Sequence, residues 1–207
     1  MGQKYKGYYE HNVAGAGAGY GLQFAADALT FDVVLGENFV TKAKDAEAKI
    51  GQLGAKVGYN ADFGSLAAVF SADANFKKFE VGAGYSGNFD AVGVVFNAGA
   101  KIADDKTTIG LVGSAGGSVD AISWAIDVFA DIADATKVGT YVKAAYAFEP
   151  ATATLYFEDT DFSADKFGAT IGLKFNGNVG AASWEVDPHF TTADSVFAVG
   201  FNTAISF

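Results

Sequence analysis

The chain has no cysteine, and among its 207 residues only two prolines, two histidines and one methionine. Without cysteine there is no disulfide, no thiolate zinc cluster and no thiol nucleophile. Two histidines far apart in sequence, His11 and His189, do not make a zinc site by themselves. No apolar run reaches the ~18 residues that a membrane-spanning helix needs. Positive charge is scarce: 14 basic residues face 24 acidic ones, a formal net charge of −10 that repels nucleic acid. The opening Met-Gly-Gln-Lys-Tyr-Lys lacks the apolar centre of a signal peptide. It also places Lys6 where a myristoylation signal has Ser or Thr. The expectation for an exported protein is therefore that this sequence is the mature form. The glycine-alanine run at 15–19 lacks the Lys-Ser/Thr ending of a phosphate loop. Nothing points to a cofactor or a metal, and no enzyme is expected from a motif of fixed spacing.

What is present is apolar: half of the residues are hydrophobic, with 19 Phe and 26 Gly. A chain of this kind without a spanning helix must place its apolar surface in a core, an interface or the outside of a barrel. The last thirteen residues show the arrangement. Phe197, Val199, Phe201, Thr203, Ile205 and Phe207 alternate with Val196, Ala198, Gly200, Asn202, Ala204 and Ser206. Side chains alternate across a strand, so this segment has one large apolar face and one small or polar face. Segments of about ten residues with the same alternation recur from residue 3 onward, separated by turn residues, and the count is about fourteen. The first (3–10) and the eighth (107–116, glycine-rich) are the weakest, which leaves twelve as the fallback. The stretch Asn38 to Lys49 breaks the period and reads as a charged loop with at most a turn or two of helix.

No Lys, Asp or Glu falls on the apolar face of any segment. The opposite face carries Asp32, Lys56, Asp73, Lys78, Glu80, Lys101, Asp127, Asp131, Lys143, Glu158, Lys166, Lys174, Glu185 and Asp187 among many Gly, Ala, Ser and Thr. Periodicity alone does not say which face is wet. Small residues are weak strand formers with little reason to recur on a solvated surface. Inside a barrel they leave room for water.

The connectors differ between the two ends. One end is expected to hold tight turns at Ala25–Asp27, Asp62–Gly64, Gly87–Asp90, Glu149-Pro150 and Asn176–Asn178. The long connector 38–49 falls at the other end, with 160–165 and 189–194. Outward aromatics then line the tight-turn end: Phe24, Tyr59, Tyr85, Tyr146, Phe148, Phe175 and Phe207.

Alternating strands, unequal loops, an aromatic girdle and a final strand ending in Phe207 resemble the bacterial outer-membrane β-barrels. In strand count the chain is most similar to the monomeric fourteen-stranded channels. The resemblance implies a transmembrane, antiparallel, up-and-down barrel formed by residues 1–207 as one domain. It implies outer-membrane lipid around the barrel and recognition by the barrel-assembly machinery through the C-terminal strand. It also implies passive, porin-like diffusion of ions and small hydrophilic solutes, filtered by the inward charges with a weak cation preference. The fatty-acid transporters of this strand number carry an N-terminal plug, for which the residues before the first segment are too few. A homo-oligomer seam would be indistinguishable from lipid-facing surface. Two alternatives stand: a structural or adhesive barrel with a closed lumen, and a hydrolase with a rim site of His11, His189, Asp187 and Ser195. The competing fold is a soluble sandwich whose apolar stripes form the core.

Overall fold

The structure, a computed structural model, describes residues 19–36, 53–73, 75–103, 105–164 and 168–205. The described residues form thirteen strands and no helix. The strands are β1 (Gly19–Ala26), β2 (Leu29–Gly36), β3 (Leu53–Ala61), β4 (Gly64–Ala72), β5 (Phe79–Phe89), β6 (Val92–Ala103) and β7 (Lys106–Val119). They continue as β8 (Ile122–Ile132), β9 (Thr136–Phe148), β10 (Ala151–Asp159), β11 (Thr170–Val179), β12 (Ala182–Thr191) and β13 (Val196–Ile205). All belong to one antiparallel sheet in which each strand pairs with its neighbours in sequence. Among the described residues β1 pairs only with β2, and β13 only with β12.

These thirteen strands correspond to the second through fourteenth expected segments. The first expected segment and the loop at 38–49 lie outside the described residues, as do Lys166 and Phe207. The doubtful eighth segment is the longest strand, β7, at 14 residues. Its glycines are weak strand formers, but pairing along both sides with β6 and β8 overrides that local preference.

The connectors are sharply unequal. Six hairpins, from Ala26 to Leu29, Ala61 to Gly64, Phe89 to Val92, Val119 to Ile122, Phe148 to Ala151 and Val179 to Ala182, each have two loop residues. The intervening connectors at the other end reach sixteen residues between Gly36 and Leu53. Asp27, Asp90 and Asp120 open their hairpins with φ of 49°, 52° and 51°, and Gly180 with 60°. That left-handed conformation matches the twist of a two-residue hairpin, and Asp tolerates it better than most side chains. Two turns fall later than expected. Residues 176–178 lie inside β11 and the turn is Gly180-Ala181, while Gly87, Asn88 and Phe89 lie inside β5 and the turn is Asp90-Ala91. In both places cross-strand pairing carries the strand through residues that read locally as turn formers.

In register, directly paired residues share a face. One face joins Tyr59, Leu66, Tyr85 and Phe96 in one row and Ile122, Tyr146, Ala153, Phe175, Val186 and Phe201 in another. This face is both apolar and open. Tyr20 is 70% exposed, Leu22 68% and Phe201 73%. The opposite face holds the strand charges apart from Asp159, which ends β10 in the register of Leu155 and Phe157, and is the shielded one, with Asp127 fully buried beside Val112 and Phe129. A soluble sandwich has the reverse arrangement.

Candidate functional site

The shielded face is built by the parity of each strand. Asp32, Lys56, Glu80, Lys101, Asp127, Asp131, Lys143, Glu158, Lys174, Glu185 and Asp187 all fall on it. Asp73 and Lys78 lie in the connector between β4 and β5. There Asp73 Oδ1 accepts the Lys77 amide at 2.8 Å and its own amide donates to the Lys78 carbonyl at 2.9 Å. They shape a turn at the long-loop end.

Register organises the charges into opposed partners. Asp32 faces Lys56 and Asp131 faces Lys137. Glu80 lies 3.5 Å from Lys101, and Glu185 lies 3.3 Å from Lys174. Such partly exposed pairs contribute little to stability, about 0–1 kcal/mol each, but they cancel charge along the wall.

The strands β8 to β12 add an element of another kind. Two aromatic rings lie flat against the wall, each over a glycine of the adjacent strand. Phe129 covers its direct partner Gly139, and Tyr156 covers its direct partner Gly172. A Cβ at either glycine would collide with the ring. Seated over Gly172 of β11, the Tyr156 hydroxyl crosses that strand. It donates to the Asp187 carboxylate of β12 at 3.0 Å and 3.2 Å to its two oxygens. The Tyr141 ring stands 6.2 Å from that of Tyr156, tilted by 36°. Register places Tyr141 between Asp127 and Glu158, and Lys143 against Tyr156. Val112 and Phe129, with Tyr141 against them, form a small apolar cluster on this same face. Here the wall is packed, whereas small residues throughout had been expected to leave it wet.

His189 belongs to the same row. It was expected in an outer loop, yet β12 runs through Pro188 to Thr191 and sets His189 opposite Gly172 and Ala198. Its Nδ1 lies 3.0 Å from the Asp187 carbonyl oxygen and 4.0 Å from Asp187 Oδ2. A carbonyl only accepts, so Nδ1 carries the hydrogen and, in the neutral ring, Nε2 holds the lone pair. Ser195 sits in the turn after β12, and His11 lies outside the described residues. The ladder between β11 and β12 skips Leu173 and Lys174, across from Asp187 and Pro188. Pro188 has no N–H to give, and the ladder is broken where the Tyr156 hydroxyl arrives.

The residues missed in the sequence are Phe129, Tyr141, Tyr156 and Lys137, while His189 was named only as a rim residue. For the three aromatics the signal was present, since each alternates onto the polar side of its segment. Among the described residues no group of three or more His, Asp or Glu side chains is placed to hold a metal ion. Comparison with protein-family models, with curated proteins and with solved structures finds no match.

Proposed function

We propose that this chain is an outer-membrane β-barrel that passes ions and small hydrophilic solutes. One observation carries the reading: the faces are inverted relative to a soluble sheet. Large apolar side chains are open along every strand from β1 to β13, while the carboxylates and lysines of the strands, Asp159 at the end of β10 apart, sit on the shielded side. In water, an apolar surface of this extent is an association liability. Against lipid it is the favourable surface, and one charge on it near the midplane would cost about 2–4 kcal/mol.

Three features support the reading. Two-residue turns at one end and connectors of up to sixteen residues at the other, with β6–β7 the one short exception, follow the pattern of outer-membrane barrels. The exposed aromatics Phe24, Tyr59, Tyr146 and Phe148 cluster near the two-residue turns, at the height of an interfacial girdle. β1 and β13 each present one free edge among the described residues. In hydrocarbon an unpaired edge costs several kcal/mol per backbone group, so closure of the sheet into a barrel goes with the membrane reading. Passage would be sieved by lumen width, which grows with strand number. It would be filtered by the inward acids and bases.

A closed-lumen structural barrel is the second reading, and the buried cluster of Val112, Phe129 and Asp127 favours it. Conductance of the refolded protein in a planar bilayer separates the two. Steady channels with a cation-biased reversal potential are expected. A silent protein that still shifts on gels between folded and heated forms would replace the channel with the structural role.

A further inference from the structure

The charge pattern of the shielded face draws attention to Asp187. Asp32, Glu80, Asp131 and Glu185 each have a lysine across from or beside them. Asp187 is different. Its partner on β13 is Gly200, which has no side chain, and the nearby Lys174 reaches Glu185. The donor it does receive is the Tyr156 hydroxyl, which orients the carboxylate without cancelling its charge. The Asp187 side chain is 20% exposed, so an ion on this face can reach it. Asp127, by contrast, is fully buried.

One ring, Tyr156, reaches this carboxylate, and a second, Tyr141, stands beside that ring. Tyr156 is held against the wall by Gly172 and by its bond to Asp187, and Tyr141 lies 6.2 Å away at a shallow tilt. A carboxylate beside aromatic surface suits a cation that carries carbon. The carboxylate takes the charge, and the rings take the N-alkyl groups through their negative faces. A bare metal ion keeps its water and uses only the carboxylate.

We propose that Asp187, Tyr156 and Tyr141 form a cation subsite on the inner wall that takes alkylammonium ions. The proposal rests on the reading of this face as the lumen wall. Tyr156 is the positioning residue: it fixes the carboxylate and presents its ring. Lys143, directly across from Tyr156, is the positive charge that register sets beside these rings. Its neutralisation should strengthen the subsite.

The test uses choline chloride with the full folded chain in detergent micelles at pH 8, where histidine is ordinarily neutral. Binding is followed by ligand-observed NMR, and the same preparation is recorded in planar bilayers in KCl with and without choline. The wild-type chain should bind choline and show a choline-dependent drop in KCl current. Asp187→Asn, which keeps an acceptor for Tyr156, should weaken binding by roughly threefold or more, as should Tyr141→Leu. Lys143→Gln should tighten it. The double variant Glu80→Gln/Lys101→Gln removes an opposed pair without changing net charge and should bind as the wild type does. Equal choline binding by wild type and Asp187→Asn would overturn the proposal, as would no binding by the wild type. A silent bilayer with intact, Asp187-dependent binding would sink the channel and keep the subsite. A conducting protein indifferent to choline would do the reverse.

Discussion

Gly172→Ala is the sharpest test of the shielded face, because two physical effects predict opposite signs. A glycine inside a strand ordinarily destabilises by about 0.5–1 kcal/mol relative to alanine, through its backbone freedom. Considered alone, the substitution should therefore stabilise. In the structure the added methyl would occupy the place of the Tyr156 ring. The ring must leave, and with it goes the hydroxyl bond to Asp187. A hydrogen bond to a charged group contributes about 1.5–3 kcal/mol. The loss outweighs the gain, and the expected net is a destabilisation of about 1–2 kcal/mol. Gly113 is the control, since a Cβ there meets nothing within 4 Å. Gly113→Ala should stabilise by about 0.5–1 kcal/mol. Urea titration in lipid vesicles reads both as shifts of midpoint at constant slope. In a Tyr156→Leu background the penalty of Gly172→Ala should largely disappear, which isolates the coupling between the two positions. A Gly172→Ala variant as stable as Gly113→Ala would refute the seated-ring account.

Ile126→Lys places a charge on the open apolar face, at a position 42% exposed. In vesicles it should cost about 2–4 kcal/mol by urea titration; a change within ~0.5 kcal/mol, usual for an aqueous surface, would remove lipid from this face. At the β10–β11 connector, the Ser163 hydroxyl and amide both donate to Asp161 Oδ1 and hold its carboxyl below the usual value. A depressed carboxyl stabilises above its unfolded value, and the contribution is lost as pH falls through the folded one. Exchange of the Ser163 amide, corrected for intrinsic rate, should therefore speed up below about pH 4, and Asp161→Asn should abolish that dependence. Phe162 should loosen with it, because its amide donates to the Val138 carbonyl at 2.7 Å. An exchange profile unchanged by the substitution would show that Asp161 does not hold the connector.

Strand parity was legible in the sequence because an open apolar face and a shielded polar face demand different side chains at every second position. The glycine-rich β7 was the weak case, because apolar Val112 falls on the shielded face beside Gly110. The two late turns and the extension of β12 through Pro188 were not legible. Local chemistry at Asn176–Asn178, Gly87 and Pro188 favours a turn or a strand end, and only the neighbouring strands overrule it. The candidate site was half legible. Alternation gave the inward charges, but their pairing depends on stagger between strands, which the pattern of one segment does not contain. The role of Tyr156 depends on Gly172 and Asp187, sixteen and thirty-one residues away. No spacing rule links those three positions.

The unequal connectors also bear on how the sheet assembles. Among the described residues every ladder joins strands that are consecutive in the chain, so each of these pairings closes only its own connector. Closure entropy grows slowly, by about 0.6 kcal/mol for each doubling of loop length. The sixteen residues between β2 and β3 therefore cost about 2 kcal/mol more to close than a two-residue hairpin. The β1–β2 hairpin is thus the unit joined at the greatest entropic disadvantage. From β3 to β10 no connector exceeds six residues, and this stretch can zip in chain order.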